Sequence, residues 1–221
     1  MMKHPVAFAH SPDYAPERLR PALEAALAPQ FAAHPVSGKS VLLKPNLLAW
    51  RKKDDPACTH PAFLLETARI FRDAGATRIA ILENPAVQTA PAILRAMGIA
   101  DELTGMNVAF ANFSDYRRAA EIDGLRNHNL EIAAERLEYD CVADIAKAKT
   151  HGMMELTLCV KNLFGLVNGA DRIAWHLSVG RDYARFADML LDLYLLVRPA
   201  YNLVDAVVCM EGNGPGSGTP T

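Results

Sequence analysis

The sequence predicts an α/β fold whose mostly parallel sheet is covered by helices on both faces. Three observations carry this reading. Runs rich in Val, Ile and Leu alternate along the chain with segments of helical period. The runs are continuously apolar rather than interleaved with polar residues, the pattern of strands buried on both sides. The chain has 221 residues, 51% of them apolar and 22% charged, enough for one substantial core. No internal repeat or low-complexity linker divides it, so residues 1–221 are expected to form a single α/β domain.

The elements follow in order. "PVAFA" at 5–9 reads as a short strand and 17–28 as a helix. "SVLLK" at 40–44 is a buried strand. From Pro61 a helix is marked by Leu64, Ala68 and Phe71 on one face, with Pro61 suited to its first turn and Gly75 to its stop. "RIAILE" at 78–83 is the next strand, and "PAILRAMG" at 91–98 a short helix ending at Gly98. "NVAFAN" at 107–112 and "DCVADIA" at 140–146 read as strands, and the polar stretch 112–138 between them carries no assignable period. In "ELTLCVKNLFG" at 155–165, helical spacing groups Leu156, Val160 and Leu163 or Phe164, with Thr157 and Lys161 one turn apart on another face and Gly165 at the end. A long helix at 182–197 carries Phe186, Leu190, Leu193 and Val197 on one stripe, is closed by Arg198 and Pro199, and leads into the last strand, "NLVDAVVCM".

The formal charge of −2 provides no global attraction to nucleic acid or to an anionic membrane, so any positive patch is local. No apolar run approaches the ~20 residues that cross a bilayer, and the N-terminus has no signal-peptide core, so a cytoplasmic location is expected. Cys58, Cys141, Cys159 and Cys209 form no Cys-x-x-Cys pair, and neither a zinc site nor a complete iron–sulfur site is written here. Cys141, Cys159 and Cys209 lie in apolar runs, as buried thiols do.

Charged residues stand where strands end. "SVLLK" ends at Lys44, "RIAILE" at Glu83 and "NLVDAVVCME" at Glu211, while the 140–146 strand runs into Lys147, Lys149 and His151. In open α/β sheets ligands bind beyond the carboxyl ends of the strands, where such residues converge. Taken singly, each charge also reads as a strand ending at solvent; four coinciding point to a site. Pro45 and Asn46 force an extended turn after Lys44. Asp205 interrupts an apolar run and needs a cation or several donors, in a structural or a functional role alike. Lys161 either projects into the site with Asn162 beside it or reaches water from a core helix. His151 and His176 are candidate proton carriers, since imidazole titrates near neutral pH, or else satisfied core or surface histidines. The tail "EGNGPGSGTPT" carries Gly212, Gly214, Gly216 and Gly218, a loop whose backbone can approach an anion closely. It lacks the spacing of a phosphate motif, and the chain is expected to finish in this loop.

Five segments together resemble the domain-of-unknown-function 362 family. They are "VLLKPNLL" at 41–48, "THPAFLLETARIFRDAGATRIAILE" at 59–83, "AKAKTHGMMELTLCVKNLFG" at 146–165, "AWHLS" at 174–178 and "LVDAVVCMEGNGPGSG" at 203–218. The resemblance spans most of the chain in the family's order. It implies a further helix and strand after the glycine-rich loop and, in some members, a cysteine-rich iron–sulfur segment, so the chain is expected to end before the family's last elements. A cluster would then belong only to a longer member. A second resemblance, to the N-terminal domain of nickel-pincer lactate racemases, rests on a Thr-x-Pro opening a helix, a following strand and a glycine-ended helix. Where that family has a histidine after the strand, this chain has "ENPA" from Glu83, so the scaffold is implied and the racemase chemistry is not.

Three functions are compatible with these residues. The first is an enzyme for a small anionic molecule, a carboxylate or phosphate, in a Lys- and His-lined crevice. His151, His176 and Lys161 would be catalytic; Lys44, Asn46, Thr59, Lys149, Asn162, Asp205, Glu211, Gly212 and Gly214 would bind the substrate. The family's iron–sulfur association implies a reductive reaction at full length. The second is an electron-transfer or cofactor-carrying module with an electron-transfer partner, its cluster lying outside this chain. The third is a metal-dependent enzyme using His151, His176, Asp205 or Glu211, although no metal-ligand spacing such as His-Glu-x-x-His is present.

Overall fold

A computed structural model describes residues 6–52, 55–127 and 129–221. The chain order is α1 (Pro16–Ala33), β1 (Ser40–Pro45), α2 (Pro61–Asp73), β2 (Arg78–Leu82), α3 (Ala90–Ala96), α4 (Ala100–Gly105) and β3 (Ala109–Ala111). A small hairpin, β4 (Tyr116–Arg118) and β5 (Glu131–Ala133), precedes β6 (Cys141–His151) and β7 (Glu155–Thr157). Then come α5 (Cys159–Asn162), α6 (Gly169–Val179), α7 (Tyr183–Val197), β8 (Tyr201–Glu211) and β9 (Thr219–Pro220).

The main sheet runs β3-β2-β1-β6-β8-β9, with β7 added beside the far end of β6. Pairings among β3, β2, β1, β6 and β8 are parallel; β7 and β9 pair antiparallel. Successive residues of β1 show why both faces are covered. Val41 and Leu43 join Leu19, Leu23 and Leu27 of α1 and Leu64, Ala68 and Phe71 of α2 on one face. Leu42, between them, faces Leu163, Leu166 and Val197 on the other. Beyond that second layer, Phe186, Leu190 and Leu193 of α7 pack on Phe164 and Val167.

Several sequence expectations are corrected. Val6–Ala9 is not a strand: Val6 and Phe8 are 74% and 94% exposed and so contribute no burial to a sheet, while Pro5 lies outside the described residues. The stretch 112–138 holds the β4–β5 hairpin, followed by a 3-10 turn over 134–138. The segment 155–165 is not one helix. β6 outruns β1, which leaves the backbone of Lys149–His151 in need of partners; Glu155–Thr157 folds back to supply them, pairing Lys149 with Thr157 and His151 with Glu155. Only a single α-turn, Cys159–Asn162, and a 3-10 turn over 163–166 remain helical. Nor does residue 221 lie in a loop: β9 pairs with Met210 and Glu211, and Thr221 exchanges backbone hydrogen bonds with Cys209. Cys58 and Cys141 are buried, whereas Cys159 and Cys209 are half-buried. Among the described residues, no helix is long and apolar enough to cross a membrane.

Candidate functional site

Beyond the carboxyl ends of β1, β2 and β6 lies a cavity of about 490 Å3. Its floor comes from the residues that follow the strands: Asn46 and Leu47 after β1, Glu83 and Asn84 after β2, and Lys149 and His151 at the end of β6. Thr157 of β7, Lys161 and Asn162 of α5, and Phe164 and Gly165 of the following turn form one wall. Arg172, Ile173 and His176 of α6 line it further, His176 lying against Phe164 with ring centroids 5.4 Å apart, and Pro215 of the glycine-rich turn also contributes.

The floor is held by a buried polar network. Lys44, fully buried, donates to Glu83 Oε2 at 2.6 Å, to the Pro45 carbonyl at 3.1 Å and to Asn162 Oδ1 at 3.3 Å. All three ammonium protons are thereby committed. Asn162 also accepts from Asn46 Nδ2 at 3.0 Å and donates to Asp144 Oδ1 at 2.6 Å. Burial lifts the Asp144 carboxyl to about 7 against the opposing pull of Lys44. Thr59 locks the loop after β1 onto the sheet, accepting from the Asn46 amide at 2.9 Å and donating to the Ile145 carbonyl at 2.9 Å. Gly165 passes directly over the ion pair, where a β-carbon would stand 2.9 Å from Lys44 Nζ and closer still to Glu83 Oε1.

Lys149 donates to Asn46 Oδ1 at 2.8 Å and to the Ala57 carbonyl at 2.6 Å. Burial is the main reason its ammonium is pushed down to about 8, with Lys147 adding to the effect and the Glu83 charge resisting it. Lys161 differs. Among the described residues neither a carboxylate nor any hydrogen-bond acceptor pairs with it; its Nζ lies 5.1 Å from the centroid of Phe164 and 5.6 Å from that of Phe186. Burial, then Lys149, Arg172 and Lys44, push it down to about 7. Arg172 likewise has no carboxylate within ion-pair distance among the described residues. The Thr157 hydroxyl, buried in the same wall, has no hydrogen-bond partner there either.

The two imidazoles contribute no compensating negative charge and little positive charge. His151 Nδ1 accepts from the Met153 and Met154 amides at 3.2 and 3.3 Å, which places the ring proton on Nε2. Burial, reinforced by Lys161, His176 and Lys149, pushes it down to about 3, so near neutral pH it is an uncharged donor. His176 stacks on it with centroids 6.4 Å apart and is lowered by burial and by Lys161 and Arg172. Glu83 is occupied by Lys44 and, through Oε1, by the Asn84 amide at 2.8 Å. Among the described residues, the one carboxylate lining the cavity, that of Glu83, is thus already paired with Lys44, and Lys149, Lys161 and Arg172 line it without a carboxylate of their own.

Of the residues singled out from the sequence, Asn46, Lys149, His151, Lys161, Asn162 and His176 line this cavity. Lys44 and Thr59 lie beneath it as supports. Asp205 stands apart, accepting from Lys147 Nζ at 2.9 Å, Tyr14 Oη at 2.8 Å and the His60 amide at 2.9 Å. Glu211 is exposed at the start of the β8–β9 turn, where the Gly212 carbonyl accepts from the Thr150 hydroxyl at 3.0 Å. The Gly214 amide bonds to the Gly212 carbonyl at 2.9 Å, and a side chain at 214 would collide with the Thr150 backbone. Sequence reasoning missed Arg172, Thr157 as a wall residue and Asn84. Arg172 and His176 are one turn apart on a helix opened by Asn168, which caps Ala170 at 3.0 Å, so the i, i+4 pair was the available signal.

Residues 41–221 match the family described as Domain of unknown function (DUF362). The chain is 32% identical over 183 residues to the thylakoid-associated protein sll1697 of Synechocystis, an alignment covering 83% of this chain and 56% of that protein. Its fold is similar to that of the lactate racemase apoprotein from Thermoanaerobacterium thermosaccharolyticum, with a TM-score of 0.56 at 14% identity over 95% of this chain and 52% of the other. The chain thus spans about half the length of both.

Proposed function

The chain belongs to the DUF362 family, and from the cavity at the carboxyl edge of its sheet we propose that it binds a small anionic substrate for enzymatic conversion. The observation that carries this reading is the presence in one cavity of Lys161 and Arg172, two cations without carboxylate partners among the described residues. Both side chains are half-buried; partial withdrawal of charge from water without a partner costs free energy, and a bound anion offsets that cost. Arg172 offers a planar fork suited to a carboxylate or phosphate; Lys161 and Lys149 add point charges. His151 supplies a neutral N–H donor, which can polarise a carbonyl or hold a leaving oxygen without bringing further charge. A cavity of about 490 Å3 suits a small metabolite.

A reductive reaction in a longer chain, an electron-transfer partner and a cytoplasmic location extend the same proposal. The thylakoid association named for the Synechocystis relative belongs to that protein.

The test is thermal unfolding in the presence of small carboxylates and phosphates. At a hundredfold excess over its dissociation constant a ligand of the native state adds ~2.7 kcal/mol. An anion that raises the midpoint of the parent protein should lose its effect in the Lys149→Ala/Lys161→Ala double variant. In Arg172→Ala it should bind weaker by roughly 1.5–3 kcal/mol, the worth of a charged hydrogen bond. An undiminished shift in both variants contradicts the assignment.

A further inference from the structure

We propose that Lys161 is a nucleophile that forms an imine with the carbonyl carbon of a small 2-oxo carboxylate. The inference rests on the anion-binding reading above and names the substrate class of that site.

Lys161 is set apart from its three neighbouring lysines by what it lacks. Lys44 donates to Glu83, Pro45 and Asn162. Lys147 donates to Tyr14 and Asp205, and Lys149 to Asn46 and Ala57. Those amines are tied in place by acceptors. Among the described residues, aromatic rings rather than hydrogen-bond acceptors lie against the Nζ of Lys161, on a short turn fixed by the Asn162 network and covered by Phe186 of α7. A lysine desolvated beside other cations is the arrangement that produces a free amine near neutral pH, and its lowering to about 7 agrees with that.

The surrounding groups suit a 2-oxo acid in particular. Arg172, which lines the same cavity, can take the carboxylate in its fork, which keeps the adjacent carbonyl carbon within the space that Lys161 also lines. The Nε2–H of His151 and the unpartnered hydroxyl of Thr157 are donors available to the carbonyl oxygen. The neutral amine attacks the carbonyl carbon, and the C–O π bond breaks to place the electron pair on oxygen. Both amine hydrogens leave with that oxygen as water, and a C=N bond joins Lys161 to the substrate. Amine plus ketone yields imine plus water, with no change of oxidation state and no co-reactant.

Trapping with sodium cyanoborohydride tests the step. The full chain is incubated with pyruvate and the reductant, and in parallel with lactate, which has no carbonyl; intact mass and peptide mapping locate any adduct. The expected result is one reduced adduct with pyruvate, on the peptide bearing Lys161, absent with lactate and absent in Lys161→Arg. Melting curves in pyruvate and lactate without reductant accompany the trapping. Stabilisation by pyruvate without an adduct overturns the imine and leaves the anion site standing. An adduct spread over surface lysines, or centred on Lys149, also overturns it. Neither stabilisation nor adduct, for pyruvate and for every anion in the panel, overturns both readings. Because the mapping is done on the parent protein, it decides the matter even where Lys161→Arg fails to fold.

Discussion

Lys161 and Lys149 are two lysines held, mainly by burial, far below the 10.5 of a free side chain, at about 7 and about 8. The groups facing Lys161 are Lys44 and Glu83 from the floor, Lys149 and His151 from β6, and Arg172 and His176 from α6; Glu83 is already paired with Lys44. The sign of the resulting pH dependence follows. Between about 7 and 10.5 the unfolded chain binds a proton at residue 161 that the folded chain does not, so this group makes the fold more stable as pH rises through that window. An anion without a carbonyl, which cannot form the imine, reverses the preference by favouring the charged amine. Binding at pH 8 should therefore draw protons into the site, and affinity should fall as pH rises above about 8. Calorimetric titrations in buffers of different ionisation enthalpy measure that uptake, and binding with no uptake at pH 8 contradicts it. The residue types were legible in the sequence. The isolation of Lys161 was not, because the absence of a partner is a property of neighbours more than a hundred positions away, such as Lys44.

At the scale of elements, the site depends on a turn passing close over an ion pair. The Phe164–Gly165 turn closes onto Lys44 and Glu83 only because residue 165 has no side chain. Gly165→Ala should push the turn off the pair and weaken both stability and anion binding. Lys44→Met leaves Glu83 buried without its cation and should cost roughly 3–5 kcal/mol in urea denaturation; Lys44→Met/Glu83→Met should recover much of that loss. Full additivity of the two single variants would contradict the coupling. The sequence marked β1, α2, β2 and α7 clearly, since their apolar periods repeat over several residues. Its helical reading of 155–165 failed because the apolar spacing of Leu156, Val160 and Phe164 also suits a strand followed by a turn. The unpaired end of β6 decided between them.

Across the whole molecule, a second buried cluster ties distant parts of the chain together away from the cavity. Tyr14 before α1, His60 at the start of α2, Lys147 of β6 and Asp205 of β8 meet around one carboxylate. Beyond it the pairing of β8 with β6 skips from Asp205 to Met210 between Lys147 and Lys149. Asp205→Ala should destabilise the fold by roughly 3–5 kcal/mol by leaving Lys147 buried and unpaired. It should leave anion affinity unchanged at temperatures where the variant is folded, as melting curves with and without ligand will report. A lost affinity would return Asp205 to the binding site, a role its place in an apolar strand left open. The α/β class, the parallel core strands and the concentration of charge at their carboxyl ends can be read from the chain, because apolar period and chain order are local properties. Which of those charges neutralise one another, as Lys44 with Glu83 and Lys147 with Asp205 do, and which stay uncompensated over a cavity among the described residues, as Lys161 and Arg172 do, is set only on folding. Compensation depends on distances of a few ångströms between residues far apart in the chain, and no local pattern records them.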